Sequence, residues 1–169
     1  MNYSPTLRCF DRAVPTVIKA DGIYIYTKKG KILDTTAGGT SYAVLGWNNK
    51  KIIKAINIQL KKFCHVDYKI WHDSNVDKLS KILLSKAEHK LDKVYYCGNS
   101  GAEATESAMK MSYLAHQSQG NLKKKHFIGR MQSYHGMSTD ALSVAERPNL
   151  NIYKPLHSHS RSLIPQHHN

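Results

Sequence analysis

The chain has 169 residues, of which 41% are apolar, and its formal net charge is +13 at pH 7. This length suffices for one ordinary domain with its own core, and no apolar run approaches the roughly 18 residues that a membrane-spanning helix needs. The N-terminus lacks the continuous apolar stretch of a secretory signal and carries Arg8, Asp11 and Arg12. Composition therefore excludes a membrane-spanning protein and predicts a soluble, cytoplasmic one.

The excess of basic residues raises the possibility of a nucleic-acid-binding domain, because phosphate backbones recruit Lys and Arg. A binding footprint is expected to be clustered, whereas these basic residues are spread along the chain, and the densest run, "KKK" at 123–125, follows "QSQGN". That context is typical of a solvated loop. A nucleic-acid-binding domain is therefore a distant alternative, and we expect no nucleic-acid partner.

The first half of the chain predicts a β-hairpin followed by two helices. "GIYIYT" and "ILD" flank the Gly-containing turn "KKGK", which is typical of a hairpin, and Thr35 to Asn49 reads as a loop rich in Gly and Thr. "KKIIKAINIQLKKF" and "VDKLSKILLSKAEHKL" both repeat apolar residues at helical spacing. Asn75 is positioned to cap the second helix.

The second half alternates strands with helices. The segments in order are strand "KVYYC", helix "AEATESAMKMSYLAH", strand "KHFIGR", loop "MQSYHGMST" and strand "ALSV". Strands that alternate with helices require crossover connections. The sequence therefore predicts an α/β domain whose sheet is mostly parallel, with flanking helices.

The turn between "KVYYC" and the next helix, "GNSGAEA", has two interpretations. In an α/β sheet such a turn aims the free N–H groups of the helix at the ligand crevice, where Gly101 and Ala102 leave room for a phosphate and Ser100 offers a hydroxyl. Alternatively, Ser100 followed three residues later by Glu103 is a capping box, which needs no ligand. The pattern alone favours neither interpretation.

A second motif, "SYHGMST" at 133–139, places Tyr134 and His135 on a loop after a strand. An aromatic side chain there can cover a planar heterocycle, and ring stacking contributes about 0.5 to 1.5 kcal/mol beyond burial. By itself the motif is also compatible with an ordinary surface loop. Together with the preceding turn it suggests a planar, phosphorylated cofactor.

These motifs carry a resemblance to a known family. "NSGAEATESAMKMS", then "SYHGMSTDALSV", preceded by "DGIYIYTKKGKILDTTAGGTSYAVLGW", closely resembles the N-terminal part of class III pyridoxal-phosphate-dependent aminotransferases of the ω-amino-acid and acetylornithine type. The resemblance implies a partial large domain of the fold type I pyridoxal-phosphate-dependent transferase fold. It also implies transfer of an amino group from an amine or amino acid to a 2-oxo acid, by a homodimer with pyridoxal 5'-phosphate as cofactor.

The resemblance further implies roles for individual residues. Ser100, Gly101 and Ala102 would form part of the phosphate-binding turn, Tyr134 would stack on the pyridine ring, and His135 would lie beside it. Tyr42, in "GGTSYAVLGW", occupies a position where the family presents an aromatic side chain to the substrate. Residues 1–50 would form an N-terminal segment with the hairpin and the substrate-side loop, and residues 51–169 an incomplete cofactor-binding large domain.

In the resembled family, the Schiff-base lysine and the acidic partner of the pyridinium nitrogen lie well downstream of "YHG". No lysine of this chain stands in a matching context, so we expect a truncated chain that is inactive alone and has no catalytic residue of its own. The alternative is a noncatalytic remnant or phosphate-binding module. The tail contains His157, His159, His167 and His168, but no carboxylate or cysteine accompanies them, and we expect no metal site.

Overall fold

The computed structural model describes residues 15–35, 43–145, 147–149, 152 and, for the backbone, 162–164. Its contacts divide the chain into two compact units, Met1–Ser74 and Asn75–Asn169. The predicted division at residue 50 rests on the resemblance and stays a prediction.

The first unit contains a three-stranded antiparallel sheet, in the order β1 (Val17–Asp21), β2 (Tyr24–Thr27) and β3 (Gly30–Leu33). The predicted hairpin is confirmed, since Tyr24 pairs with Leu33 and Thr27 with Gly30. Its turn is closed by the hydroxyl of Thr27, which accepts from the Lys29 N–H at 3.1 Å. Gly30 has φ +129°, a conformation that favours glycine.

Trp47 ties the segment after the hairpin to the sheet. Its backbone exchanges two hydrogen bonds with Gly22, of 3.0 and 2.8 Å, and its indole N–H donates to the carboxylate of Asp34 at 2.7 Å. The side chain thus packs and bonds within this unit. Tyr42, the predicted substrate-side aromatic, lies outside the described residues.

Helix α1 (Lys50–Leu60) begins where its sequence predicts. The side chain of Asn49 caps it by accepting from the N–H groups of Lys51 and Ile52, which satisfies two of the four donors that a helix start leaves unpaired. The apolar stripe of the helix is largely uncovered, with Ile56 51% and Leu60 54% exposed. The predicted amphipathic helix is confirmed, but the described residues do not bury its apolar face.

Over the residues that the structure describes, the second unit shows three α-helices and a short parallel ladder. The helices are α2 (Ser74–Lys86), α3 (Gly101–Ser118) and α4 (Thr139–Ser143), and β4 (Ile128–Arg130) pairs in parallel with β5 (Ser162–Ile164). Helix α2 starts at Ser74, one residue before the predicted cap Asn75. Among the helices described, none has both the length and the apolarity to cross a membrane.

Two predicted strands are not strands in the structure. "KVYYC" pairs with no strand among the described residues, and "ALSV" belongs mainly to helix α4. The Leu142 N–H donates to the Ser138 carbonyl at 2.8 Å, and residues 141–145 are buried on all sides. A short run that is buried throughout has no periodicity to distinguish helix from strand. The parallel pairing predicted for most of the sheet is described only for β4 and β5, whereas the larger sheet is antiparallel.

The small core of the second unit lies around α4. Ala141 is 0% and Ala145 4% exposed, and Leu142 and Val144 are buried with them. Gly129 of β4 is buried as well, and a Cβ there would lie 2.8 Å from the Val144 carbonyl carbon. Only a glycine therefore allows β4 to approach the end of α4 this closely. This packing holds the loop 131–138 between β4 and α4.

Candidate functional site

Helix α3 starts with a complete capping box. The Glu103 N–H donates to the Ser100 hydroxyl at 3.3 Å, and the Ser100 N–H donates to the Glu103 carboxylate at 2.9 Å. The Ser100 hydroxyl itself donates to the same carboxylate oxygen at 3.2 Å. The capping interpretation of "SGAE" is therefore confirmed, and the Ser100 proton is used within the cap.

The cap leaves two helix-start donors for something else. A helix begins with four N–H groups that have no acceptor inside the helix. In α3 two of these groups are bonded within the cap, because the Ser100 N–H and the Glu103 N–H each donate to the side chain of the other residue. For the N–H groups of Gly101 and Ala102, the described part of the chain provides no acceptor. A Cβ built on Gly101 would meet nothing within 4 Å. The backbone here is open, and its two donors and helix dipole favour an anion.

Gly98 leaves room for the Glu103 side chain of the capping box and does not border the open backbone at Gly101. A Cβ at Gly98 would lie 2.6 Å from the carboxyl carbon of Glu103, so the carboxylate folds back over this glycine. The glycines that flank "NS" thus have different roles. Gly98 makes room for a side chain of the protein, and Gly101 borders empty space.

The loop after β4 presents Tyr134 and His135, and both side chains are exposed. The Tyr134 ring is 50% exposed, and the guanidinium carbon of Arg147 lies 4.8 Å from its centroid, within the range of a cation–π contact. An exposed aromatic ring held on one side by a cation is a suitable platform for a planar ligand on its other side.

Two contacts join this loop to the start of α3. The Thr105 hydroxyl lies 3.0 Å from the Gly101 carbonyl oxygen and 3.0 Å from that of His135. Gly136 is buried with φ +125°, and a Cβ on it would lie 2.5 Å from the Ala102 Cβ. The two sequence motifs, thirty residues apart between Thr105 and His135, are therefore neighbours.

The structure thus brings five of the six predicted site residues to neighbouring positions, and the sixth, Tyr42, lies outside the described residues. Gly101 and Ala102 contribute open backbone, and Tyr134 and His135 stand on the adjacent loop. Ser100 lies beside them, with its hydroxyl hydrogen-bonded to Glu103. Their contacts with a cofactor stay a prediction.

Sequence reasoning missed Thr105, Arg147 and Gly98. A threonine in the first turns of a helix carries no distinct signal, because its hydroxyl ordinarily bonds the carbonyl four residues before it. Arg147 is one of many basic residues in the sequence. Gly98 is part of the quoted motif, but the sequence does not show that the Glu103 carboxylate occupies the space beside it.

This arrangement fits a planar group that carries a phosphate. The phosphate would accept hydrogen bonds from the open N–H groups of Gly101 and Ala102, and the planar part of the ligand would stack on the Tyr134 ring. No group of three or more His, Cys, Asp or Glu able to hold a metal occurs in the ranges that the structure covers. The four tail histidines named above lie outside the described residues.

Comparisons with known proteins identify the family of the chain. The family model "Aminotransferase class-III" matches residues 10–166. An uncharacterised aminotransferase of Schizosaccharomyces pombe is 36% identical over 152 residues, which are 89% of this chain and 33% of the relative. The acetylornithine aminotransferase of Clostridium acetobutylicum is 34% identical over 157 residues, 92% of this chain and 40% of the relative.

Solved structures show the same fold. The adenosylmethionine-8-amino-7-oxononanoate aminotransferase of Methanocaldococcus jannaschii superposes with a TM-score of 0.82 at 27% identity, over 93% of this chain and 37% of its own. The ω-transaminase of Pseudomonas jessenii, in complex with PMP, gives a TM-score of 0.80 at 25% identity, over 96% and 38%. The predicted partial α/β large domain of fold type I is thereby confirmed.

The chain spans between a third and two fifths of the length of these relatives. The family match extends over nearly all of the chain, from residue 10 to residue 166, and includes both the "NSGAEA" turn and the "SYHG" loop. The chain belongs to the class III aminotransferase family.

Proposed function

We propose that this chain forms the phosphate-side part of the cofactor site of a transaminase that uses pyridoxal 5'-phosphate. The reaction would move an amino group from an amine or amino acid to a 2-oxo acid, as the family assignment supports. The observation that carries the proposal is the junction of the two motifs, in which Thr105 bonds the His135 carbonyl and Gly136 lies against Ala102. This junction joins the loop that carries the exposed Tyr134 ring to the first turns of a helix whose start has two open N–H groups.

In this proposal each element has a distinct task. The N–H groups of Gly101 and Ala102 bind the phosphate, since backbone donors at a helix start need no counter-charge to hold an anion. The Tyr134 ring lies against the pyridine ring and fixes its plane. When bound, pyridoxal phosphate supplies the electron sink for amino-group transfer, and the protein supplies orientation and electrostatics.

We further propose that the 169-residue chain alone is catalytically inactive. A lysine that captures the cofactor aldehyde must be held against it with a lowered pKa, and by the resemblance no lysine of this chain stands in that context. The chain also covers only 33% of the Schizosaccharomyces pombe relative. The homodimer that the resemblance implies and the cytoplasmic location that the composition predicts belong to this proposal as well.

A noncatalytic module that keeps the phosphate-binding turn is the second candidate, favoured by the two open donors at Gly101 and Ala102. Circular dichroism combined with a pyridoxal phosphate titration tests both candidates for this chain. Folded protein with weak, saturable binding and no turnover of an amine donor agrees with the proposal. Folded protein with no binding contradicts a cofactor site. Stoichiometric trapping on one lysine by borohydride, together with turnover, contradicts the proposed inactivity.

The same assay on a longer chain separates the enzyme from the noncatalytic module. A chain that continues through the lysine and acidic residues of the family, with this segment at its start, is expected to transaminate. Binding without turnover in that longer chain would favour the noncatalytic module.

A further inference from the structure

Thr105 stands one turn into helix α3 and its hydroxyl faces two carbonyl oxygens at the same distance. Both the Gly101 and the His135 oxygen lie 3.0 Å from its Oγ1. A hydroxyl has one proton, so the two acceptors share it. The bond to Gly101 is the local one that helical threonines commonly make, whereas the bond to His135 spans thirty residues.

Gly136 provides a second contact on the same part of the helix. Its Cβ position is 2.5 Å from the Ala102 Cβ and 3.2 Å from the Ala141 Cβ, so the backbone is wedged between α3 and α4. Ala102 and Thr105 are three residues apart and therefore lie on one face of the helix. The loop is attached at two successive residues, by a hydrogen bond at His135 and by packing at Gly136.

Tyr134 immediately precedes these two attachment points. The contact with Arg147, at 4.8 Å, involves the ring, whereas the backbone position of the loop relative to α3 depends on His135 and Gly136. The Thr105 hydroxyl thus bonds the residue that directly follows Tyr134 and ties this part of the loop to α3, whose first N–H groups are those of Gly101 and Ala102. A cofactor that uses both the ring and these N–H groups would be sensitive to this attachment.

We propose that Thr105 is a positioning residue for the cofactor, setting the Tyr134 loop against the start of α3 through its bond to the His135 carbonyl. The inference rests on the proposed function and adds to it a residue that touches neither the phosphate nor the pyridine ring. A ligand that uses only the helix start would not depend on this bond.

The test compares Thr105→Val, which keeps the shape and removes the hydroxyl, with Thr105→Ser, which keeps the hydroxyl. Val and Thr have similar helix propensities, so the helix itself is little affected. Ser118→Ala is the matched control, because the Ser118 hydroxyl, also in α3, bonds the Ala115 carbonyl three residues away and, within the described ranges, no residue of another element. All four proteins are 169-residue chains, and circular dichroism verifies equal helix content.

The first measurement needs no cofactor. The rate of hydrogen exchange in peptides covering residues 131–138 is expected to rise about fivefold in Thr105→Val. This factor corresponds to the net contribution of one ordinary hydrogen bond. Thr105→Ser and Ser118→Ala are expected to exchange like the parent chain. Equal exchange in Thr105→Val and the parent would overturn the inference whether or not the chain binds a cofactor.

The second measurement compares pyridoxal phosphate with inorganic phosphate by calorimetry. Thr105→Val should bind pyridoxal phosphate about fivefold more weakly and inorganic phosphate as tightly as the parent, with Thr105→Ser restoring the parent affinity. An equal loss for both ligands would indicate damage to the helix start and would overturn the positioning role. If the parent binds neither ligand, the proposed function fails for this chain, and the exchange measurement alone decides the role of Thr105.

Discussion

Ser100 and Glu103 satisfy each other at the start of α3, each donating its backbone N–H to the side chain of the other, at 2.9 and 3.3 Å. This pair confirms the capping-box interpretation of the "SGAE" motif, and the anion-site interpretation stays compatible with it, because a capping box and an anion site can share one helix start. The cap uses two of the four initial donors, and the other two, on Gly101 and Ala102, remain available to a phosphate.

The first prediction concerns Gly98 and Glu103. Gly98→Ala puts a methyl group against the Glu103 carboxyl, and the flexible side chain will rotate away at the cost of the capping bond. We therefore expect Gly98→Ala and Glu103→Ala each to lower the free energy of unfolding by about 1 kcal/mol. Urea denaturation followed by circular dichroism measures this loss.

The double variant is the control for this mechanism. Both single substitutions remove the same interaction, so the combination is expected to cost little more than either alone. Additive losses in the double-mutant cycle would show that Gly98 acts by some route other than the cap.

The second prediction concerns the contact between Gly136 and Ala102. Gly136→Ala introduces a Cβ 2.5 Å from that of Ala102, at a φ of +125°, so it combines steric overlap with backbone strain. We expect a loss of about 2 to 4 kcal/mol in the free energy of unfolding. Gly120→Ala is the matched control, since Gly120 also has a positive φ, +77°, but nothing lies within 4 Å of its Cβ position. Equal losses in the two variants would indicate that the packing against Ala102 contributes nothing.

The third prediction concerns the ring of Tyr134. Tyr134→Phe should bind pyridoxal phosphate like the parent, because the ring and not the hydroxyl makes the stacking contact. Tyr134→Ala should weaken binding about tenfold and shift the absorbance of the bound cofactor. A titration followed by absorbance gives both quantities. A structure of the complex with the Tyr134 ring turned to solvent would refute the stacking role.

The sequence predicted those features that depend on local patterns. The hairpin around Gly30, the helix that Asn49 caps and the capping box of Ser100 and Glu103 all follow from neighbours in the chain, and all are found. The resemblance also predicted that the two motifs would serve one site, and Thr105 and Gly136 join them.

Features that depend on burial could not be predicted in the same way. "ALSV" was expected to be a strand and lies mainly in α4, because its residues are buried on every side and show no period. The long-range bond of Thr105 is invisible in sequence, since its partner is a backbone carbonyl thirty residues away. The apolar faces predicted for α1 and α2 are present but largely uncovered, with Ile56 51% and Ile82 59% exposed.

Titration of pyridoxal phosphate into Gly101→Val and Ser100→Ala tests the proposal that the open backbone at Gly101 and Ala102 holds the phosphate of the cofactor. A Cβ at Gly101 meets nothing within 4 Å, so Gly101→Val should leave the fold stable and fill the space that the phosphate needs. Ser100→Ala should lower the free energy of unfolding by about 1 kcal/mol, because it removes the cap. It should leave the open N–H donors of Gly101 and Ala102 in place. We expect Gly101→Val to lose about tenfold or more in cofactor affinity with little change in stability, and to lose more affinity than Ser100→Ala. Equal affinity in Gly101→Val and the parent chain would contradict the proposal.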